Sequence, residues 1–190
     1  MRKLISFMHV SLDGFVTGPG GEMDWIIIDE EIFKDSISFA ATTDTALYGR
    51  KTYEMMSGYW PGVLTNPNST ALELHYAEWI ENIHKIVFSK TLKNVNWNNT
   101  QLIKENIAER ITKLKQTQGK SMMIFSSPNL THSFMQMNLI DEYRINVNPV
   151  VLGKGIPLFN TVDHTTDLKL LKTKKFNSGV VGFFYEQKNN

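Results

Sequence analysis

The chain has no cysteine among its 190 residues, which excludes disulfides, thiolate nucleophiles and cysteine-ligated zinc or iron–sulfur centres together. It also has almost no charge imbalance: 20 Lys plus Arg stand against 19 Asp plus Glu, a formal net charge of +1. No overall field therefore draws it to nucleic acid or anionic lipid, and an anionic ligand has to be held by local groups. No apolar run approaches the ~20 residues of a membrane span. The run after Arg2 and Lys3 closes at Ser11 and Asp13, too short for a signal peptide. The expectation is a cytoplasmic protein with no nucleic-acid partner and no membrane partner. The histidines, His9, His75, His84, His132 and His164, make no HxxxH or HExxH spacing, so no metal site is expected. A GxSxG elbow, a Walker loop and a GxGxxG fingerprint are missing too. The hydrolase, NTPase and Rossmann-dehydrogenase readings lose their main support.

What is present is enough apolar and aromatic side chain, 42% and 11%, to build one substantial core, and residues 1–190 are read as a single domain. LISFMHV, residues 4 to 10, reads as a buried first strand closed by a turn-rich segment, with His9 as a hydrogen-bonded core histidine. Asp29, Glu30 and Glu31 lead into the helical spacing of Ile32, Phe33, Ile37, Phe39 and Ala40, with negative charge where the dipole favours it. ALYGRKTYEMM predicts a strand ending near Tyr48, a turn at Gly49, and a helix from about Thr52 that ends at Gly58 and Pro61. Thr70 and Glu73 have capping-box spacing ahead of another helix. KIVFSKTL gives a further strand and turn, and KENIAERITKLKQTQG a helix stopped by Gly119. SMMIFS then predicts a strand running into a helix capped by Ser127, with Pro128 in its first turn. The C-terminal third is β-rich, with Asn177, Ser178 and Gly179 between its last two strands. Strands alternating with helices, then a hairpin, imply a mostly parallel sheet covered by helices with an antiparallel C-terminal edge.

Two turns follow a strand and precede a helix: Gly49-Arg50-Lys51-Thr52 and Ser126-Ser127-Pro128-Asn129. In an open α/β sheet such places offer backbone N–H groups and a helix dipole to phosphates, so both suit a dinucleotide. Arg50 and Lys51 add fixed charge for a pyrophosphate or a 2′-phosphate. Ser89-Lys90-Thr91 offers two hydroxyls and a cation at another strand end. Against this, any α/β protein carries Gly, Ser and Thr in such turns, and one alone is more often structural than phosphate-binding; three in one chain weaken that objection. SLDGFVTGPGGEMDW combines Asp13, four glycines and two acidic residues beside Trp25. It reads either as a loop that approaches and stacks on a nitrogen heterocycle or as a surface loop with Trp25 tucked onto the core.

SLDGFV, LYGRKTYE, KIVFSKTL and LIDEYRINVNPVVLGKGIPLF, in that order from about Lys3 to Phe184, resemble the dihydrofolate reductase-like family. The nearer resemblance is to its bacterial branch related to the reductase domain of the riboflavin-biosynthesis deaminase/reductase. It implies a central sheet of about eight strands flanked by helices, with NADPH across the strand ends and a pterin- or pyrimidine-like substrate beside the nicotinamide. By motif, Gly49, Arg50, Lys51 and Thr52 would contact the cofactor phosphates, and Ser89, Lys90 and Thr91 the adenosine end. Ser126, Ser127 and Asn129 would meet the pyrophosphate, while Ser11, Asp13 and Trp25 would lie at the substrate. Asp13, or Asp29 at the first helix, would be the catalytic acid, unless water supplies the proton. The LIDEY segment and the PVVLGKG loop would sit at the cleft rim or at a homodimer contact.

One departure from the family stands out. Where it commonly has a small pair beginning with glycine, this chain has Ser126 and Ser127, which put side chains at the point of close approach and ask serine for backbone geometry that suits glycine. Two functions are therefore carried forward: an NADPH-dependent reductase working by hydride transfer, and a catalytically silent nucleotide-binding protein on the same fold.

Overall fold

The computed structural model describes residues 1–159 and 165–188; His164 lies outside the described residues. The order of elements is β1 (Leu4–Val10), β2 (Phe15–Thr17), α1 (Glu30–Ala40), β3 (Thr43–Gly49), α2 (Arg50–Val63), α3 (Ala71–Asn82), β4 (His84–Phe88), β5 (Thr100–Ile103), α4 (Ile107–Gln116), β6 (Ser121–Phe125), α5 (Pro128–Gln136), β7 (Glu142–Val147), β8 (Ile156–Pro157), β9 (Leu168–Lys175) and β10 (Val181–Gln187). Eight strands form one sheet in the order β5-β4-β3-β6-β1-β7-β10-β9. The ladders from β5 to β7 are parallel, while β10 runs antiparallel to both β7 and β9. This is the dihydrofolate reductase-like architecture expected from the sequence.

β1 is central, and all seven of its residues are buried because helices cover both faces. On one face Ile5 and Phe7 pack with Tyr48, Phe125 and Phe184 against Phe39 of α1, Tyr53 of α2 and Tyr76 and Ile80 of α3. On the other, Leu4, Leu47 and Ile124 meet Ile111 of α4 and Leu130 and Phe134 of α5. Asp29 caps α1, its carboxylate accepting from Ile32 N at 2.8 Å. Thr70 and Glu73 form the full capping box of α3.

Several boundaries differ from the sequence expectation. α2 starts at Arg50 and runs through Gly58 and Pro61 to Val63. A proline near the end removes only one helical hydrogen bond, and burial of Tyr53 and Val63 holds the rest. α4 stops at Gln116 with Thr117 extended, three residues before Gly119. The short strands β2, β5 and β8 carry no periodicity long enough to read. LIDEY is away from the helix-bearing turns: it leads into β7 at the opposite ends of the parallel strands. There Asp141 accepts from Leu4 N at 2.7 Å and from Lys115 Nζ at 2.8 Å.

Candidate functional site

β3 and β6 are neighbours and both point their C-terminal ends the same way, so the turns after them meet. Gly49, Arg50, Lys51 and Thr52 from one, and Ser126, Ser127, Pro128 and Asn129 from the other, line a single cleft of about 370 Å³. Neither α2 nor α5 has a side-chain cap. The first-turn N–H groups of both helices, which have no partner inside the helix, are thus left at the cleft, whereas α1 and α3 satisfy theirs with Asp29 and Thr70. Ser127 stands at the cap position of α5 without capping it. Its buried hydroxyl instead accepts from Gly49 N at 3.1 Å and donates to Thr52 Oγ1 at 2.8 Å, and Thr52 Oγ1 donates to Ser126 O at 3.0 Å. Ser126 has φ +44, the left-handed backbone that glycine would take without strain.

The third turn adjoins the cleft without lining it. Arg50 bridges to it, donating to Thr91 Oγ1 at 3.2 Å while its Nε lies 3.5 Å from Glu54. Ser89 Oγ accepts from the N–H groups of Thr91 and Leu92. Lys90 faces a separate hollow beside the uncapped start of α4, with Lys104 and Asn106. Lys51 is exposed and makes no ion pair or hydrogen bond among the described residues, so it is the free cation of the cleft.

The opposite wall comes from the first loop and its partner strand: Thr17, Gly21 and Met23, with Ile156 of β8, which pairs with β2. Gly155 permits this close approach, since a Cβ there would lie 2.1 Å from Thr17 O. The sequence reading singled out the glycine-rich segment that carries Thr17, Gly21 and Met23 without naming these residues, and it missed Ile156 and Met55 of α2, since a lone apolar residue reads as core. Ser11, Asp13 and Trp25 do not line this cleft. Ser11 is buried, accepting from Phe15 N and donating to Asp13. Asp13 also accepts from Leu152 N at 3.1 Å and Gly153 N at 2.7 Å, tying the first loop to the PVVLGKG loop. Trp25 Nε1 donates to Glu22 O within its own loop. The Ser11 hydroxyl and then the Gly153 and Leu152 amides hold the Asp13 carboxyl below its ordinary range, and the Ile32 N–H does the same for Asp29. Both are carboxylates occupied with backbone, a poor state from which to donate a proton.

A hollow of about 760 Å³ lies at the other end of the sheet, but its charged walls are already paired, Lys3 with Glu142 and Asp141 with Lys115. Among the described residues no group of three or more His, Asp or Glu is placed to hold a metal, and no helix is long and apolar enough to cross a membrane.

Comparison with known proteins places this geometry in a family. The model of the RibD C-terminal domain matches residues 2–182. The protein YyaP of Bacillus subtilis (strain 168) is 37% identical over 185 residues, covering 97% of this chain and 94% of that one. The crystal structure of a putative riboflavin biosynthesis protein from Shewanella sp. PV-4 superposes with a TM-score of 0.77 at 21% identity, over 99% of this chain and 100% of the other. A diaminohydroxyphosphoribosylaminopyrimidine deaminase/5-amino-6-(5-phosphoribosylamino)uracil reductase from Thermotoga maritima gives a TM-score of 0.67 at 13% identity, over 98% of this chain and 57% of that one. With a family match across nearly all its length and solved structures that superpose on it from end to end, the chain belongs to the RibD C-terminal domain family and has a dihydrofolate reductase-like fold.

Proposed function

We propose that the protein is an NADPH-dependent reductase of a small pyrimidine- or pterin-like heterocycle. The observation that carries this reading is the convergence of two uncapped helix N-termini and the unpaired Lys51 on one cleft at adjacent strand ends. That arrangement fits a dinucleotide: phosphates are received by first-turn N–H groups of α2 and α5, and Lys51 supplies charge for a 2′-phosphate. Thr52 and Ser127 hold the two turns in register, and Arg50 joins the Ser89–Thr91 turn to them. Met23, Met55 and Ile156 give the cleft an apolar wall that excludes water. When bound, the nicotinamide supplies a hydride. The chain's part is placement of donor and acceptor, with the proton drawn from water because Asp13 and Asp29 are held as carboxylates. Family membership supports a reductase, and the uracil reductase name of the Thermotoga maritima neighbour supports a pyrimidine as substrate class.

One observation favours the silent, nucleotide-binding reading: Ser127 Oγ occupies the Gly49 N–H that a phosphate would use. Both readings are tested together by a thermal shift with NADPH and NADH, followed by NADPH consumption with pyrimidine and pterin substrates. Binding with turnover supports the reductase, and binding without turnover the silent form. No stabilisation by either cofactor at about 1 mM, the top of the usual KM range, would overturn both, since a ligand of the native state must raise its melting temperature.

A further inference from the structure

A strand buried on both faces of a parallel sheet is normally apolar throughout. β7 breaks this rule on one side. Lying between β1 and β10, it turns Arg144 and Asn146 toward the α1 face, and Asn148 follows just past its end. β1 adds His9, which pairs in register with Asn146, while Phe7 pairs with Arg144. Arg144 lies over the rings of Phe39 at 4.3 Å and Phe184 at 5.7 Å, and His9 stands edge-on to Phe7 at 5.2 Å.

These polar groups are not satisfied as buried groups usually are. His9 Nδ1 and Arg144 Nε and Nη1 are buried without a hydrogen-bond partner, and His9 is only 8% exposed. Its Nδ1 therefore departs from the hydrogen-bonded core histidine expected from the sequence. Glu142, which forms a loose ion pair with Arg144, is 3.9 Å from Nη2, and the Asp35 carboxylate adds to the field on the guanidinium. Gly182 leaves room over the Asn146 amide, since a Cβ there would be 3.1 Å from Asn146 Oδ1. Asn148, by contrast, is fully used. It accepts from Ile27 N at 3.0 Å and donates to Val10 O and Asn146 O, so the loop carrying Trp25 is pinned over the strip at its ligand-facing end.

Resting on the reductase reading above, we propose that Arg144, Asn146 and His9 form the recognition strip for the heterocycle. The adjacent Arg144 donors match carbonyl oxygens, the Asn146 amide both donates and accepts, and His9 Nδ1 takes the complementary ring position. Alternating C=O and N–H groups along one edge are what a pyrimidinedione or a pterin presents. Burial pulls the His9 pKa down to about 4, so the imidazole is neutral near pH 7 and recognises rather than protonates. The Ile27–Asn148 bond fastens the Trp25–Ile28 segment to the end of the strip.

The test uses the full chain with 6-aminouracil and 7,8-dihydropterin as probes, each at about 1 mM, with and without NADPH. At least one probe is expected to raise the melting temperature and to move the His9 Nδ1 resonance in histidine-labelled protein. His9→Leu should fold, because the nitrogen it removes has no partner to lose. It should also weaken probe binding about tenfold or more, as expected of a site built around a hydrogen bond, while its response to NADPH alone is unchanged. Asn146→Leu should behave alike. Equal probe affinity in both variants, or no probe effect on wild-type stability and on the His9 resonance, overturns the proposal and leaves the strip to buried water. Failure of the reductase reading shows separately, as a wild-type chain that ignores NADPH.

Discussion

Ser127 and Gly49 lie 78 residues apart, yet the hydroxyl of one holds the backbone N–H of the other at 3.1 Å. The bond crosses from the β6 turn to the β3 turn and fills, from within the chain, a donor at the floor of the cleft. The same hydroxyl donates a hydrogen bond to Thr52, so a single side chain sets the spacing of the two helix N-termini.

Ser127→Ala is expected to cost about 1 kcal/mol of stability, the usual net worth of one such bond. It should also make the NADPH-induced rise in melting temperature larger, because Gly49 N–H is freed for a phosphate. Urea denaturation with and without NADPH measures both. A smaller NADPH response in the variant would show that the Ser127 hydroxyl helps to bind the cofactor.

At Ser126 the test is of backbone. With φ +44 a serine pays left-handed strain that glycine does not, partly offset by the greater freedom of glycine in the unfolded chain. Ser126→Gly should therefore gain up to about 1 kcal/mol, read as a higher urea midpoint at unchanged slope, and Ser126→Ala should gain nothing. Equal midpoints for all three would show that the turn is unstrained.

Lys51 and Arg50 are adjacent but not equivalent. Arg50 is engaged by Glu54 and Thr91, whereas Lys51 has no partner among the described residues. Lys51→Ala should weaken NADPH by about 1 kcal/mol, roughly fivefold, and NADH by less. The difference should fade at high salt, since the charge is exposed. Titrations at two ionic strengths decide it, and equal losses for both coenzymes would remove Lys51 from the 2′-phosphate.

Much of this was legible in the sequence, and the parts that were not share causes. β1 could be read because its neighbours bury both its faces, and α3 because Thr70 and Glu73 advertise its start. The two helix-opening turns of the cleft could be read because glycine, serine and cations there answer to local chemistry. What failed depends on distant partners. Ser127 looked like a cap until Gly49 and Thr52 claimed its hydroxyl. Asp13 read as a candidate acid, and the Leu152 and Gly153 amides that hold its carboxylate lie some 140 residues away. β2 and β8, of three and two residues, exist only because they pair with each other.

The pH dependence of stability should report His9. Its imidazole titrates near 6.5 when unfolded and at about 4 in the buried native site, so between these values the unfolded chain binds the extra proton. Stability is then full above about pH 6.5 and falls as the pH drops to about 4, by roughly 3 kcal/mol from this group. The depressed carboxylates Asp13 and Asp29 act at lower pH, because they release their stabilisation only as they protonate. His9→Leu should flatten the upper window alone, seen in urea midpoints at about pH 7 and about pH 4.5. An unchanged slope would mean that the imidazole titrates alike in the folded and unfolded chain.

Asp141 offers the complementary case, a group that works far from the cleft. It joins Leu4 N, at the start of the central strand, to Lys115, whose side chain is 11% exposed and donates also to Leu139 O. Asp141→Ala leaves that cation without its counter-charge and the strand N–H without an acceptor, which should cost about 2 to 3 kcal/mol. Adding Lys115→Met should recover part of the loss, because the stranded charge is removed, so the double variant should be more stable than the sum of the two single losses. The NADPH-induced shift in melting temperature should be the same in all of these variants, since the pair sits at the opposite end of the sheet from the cleft. A change in that shift would mean that the LIDEY segment reaches the cleft after all.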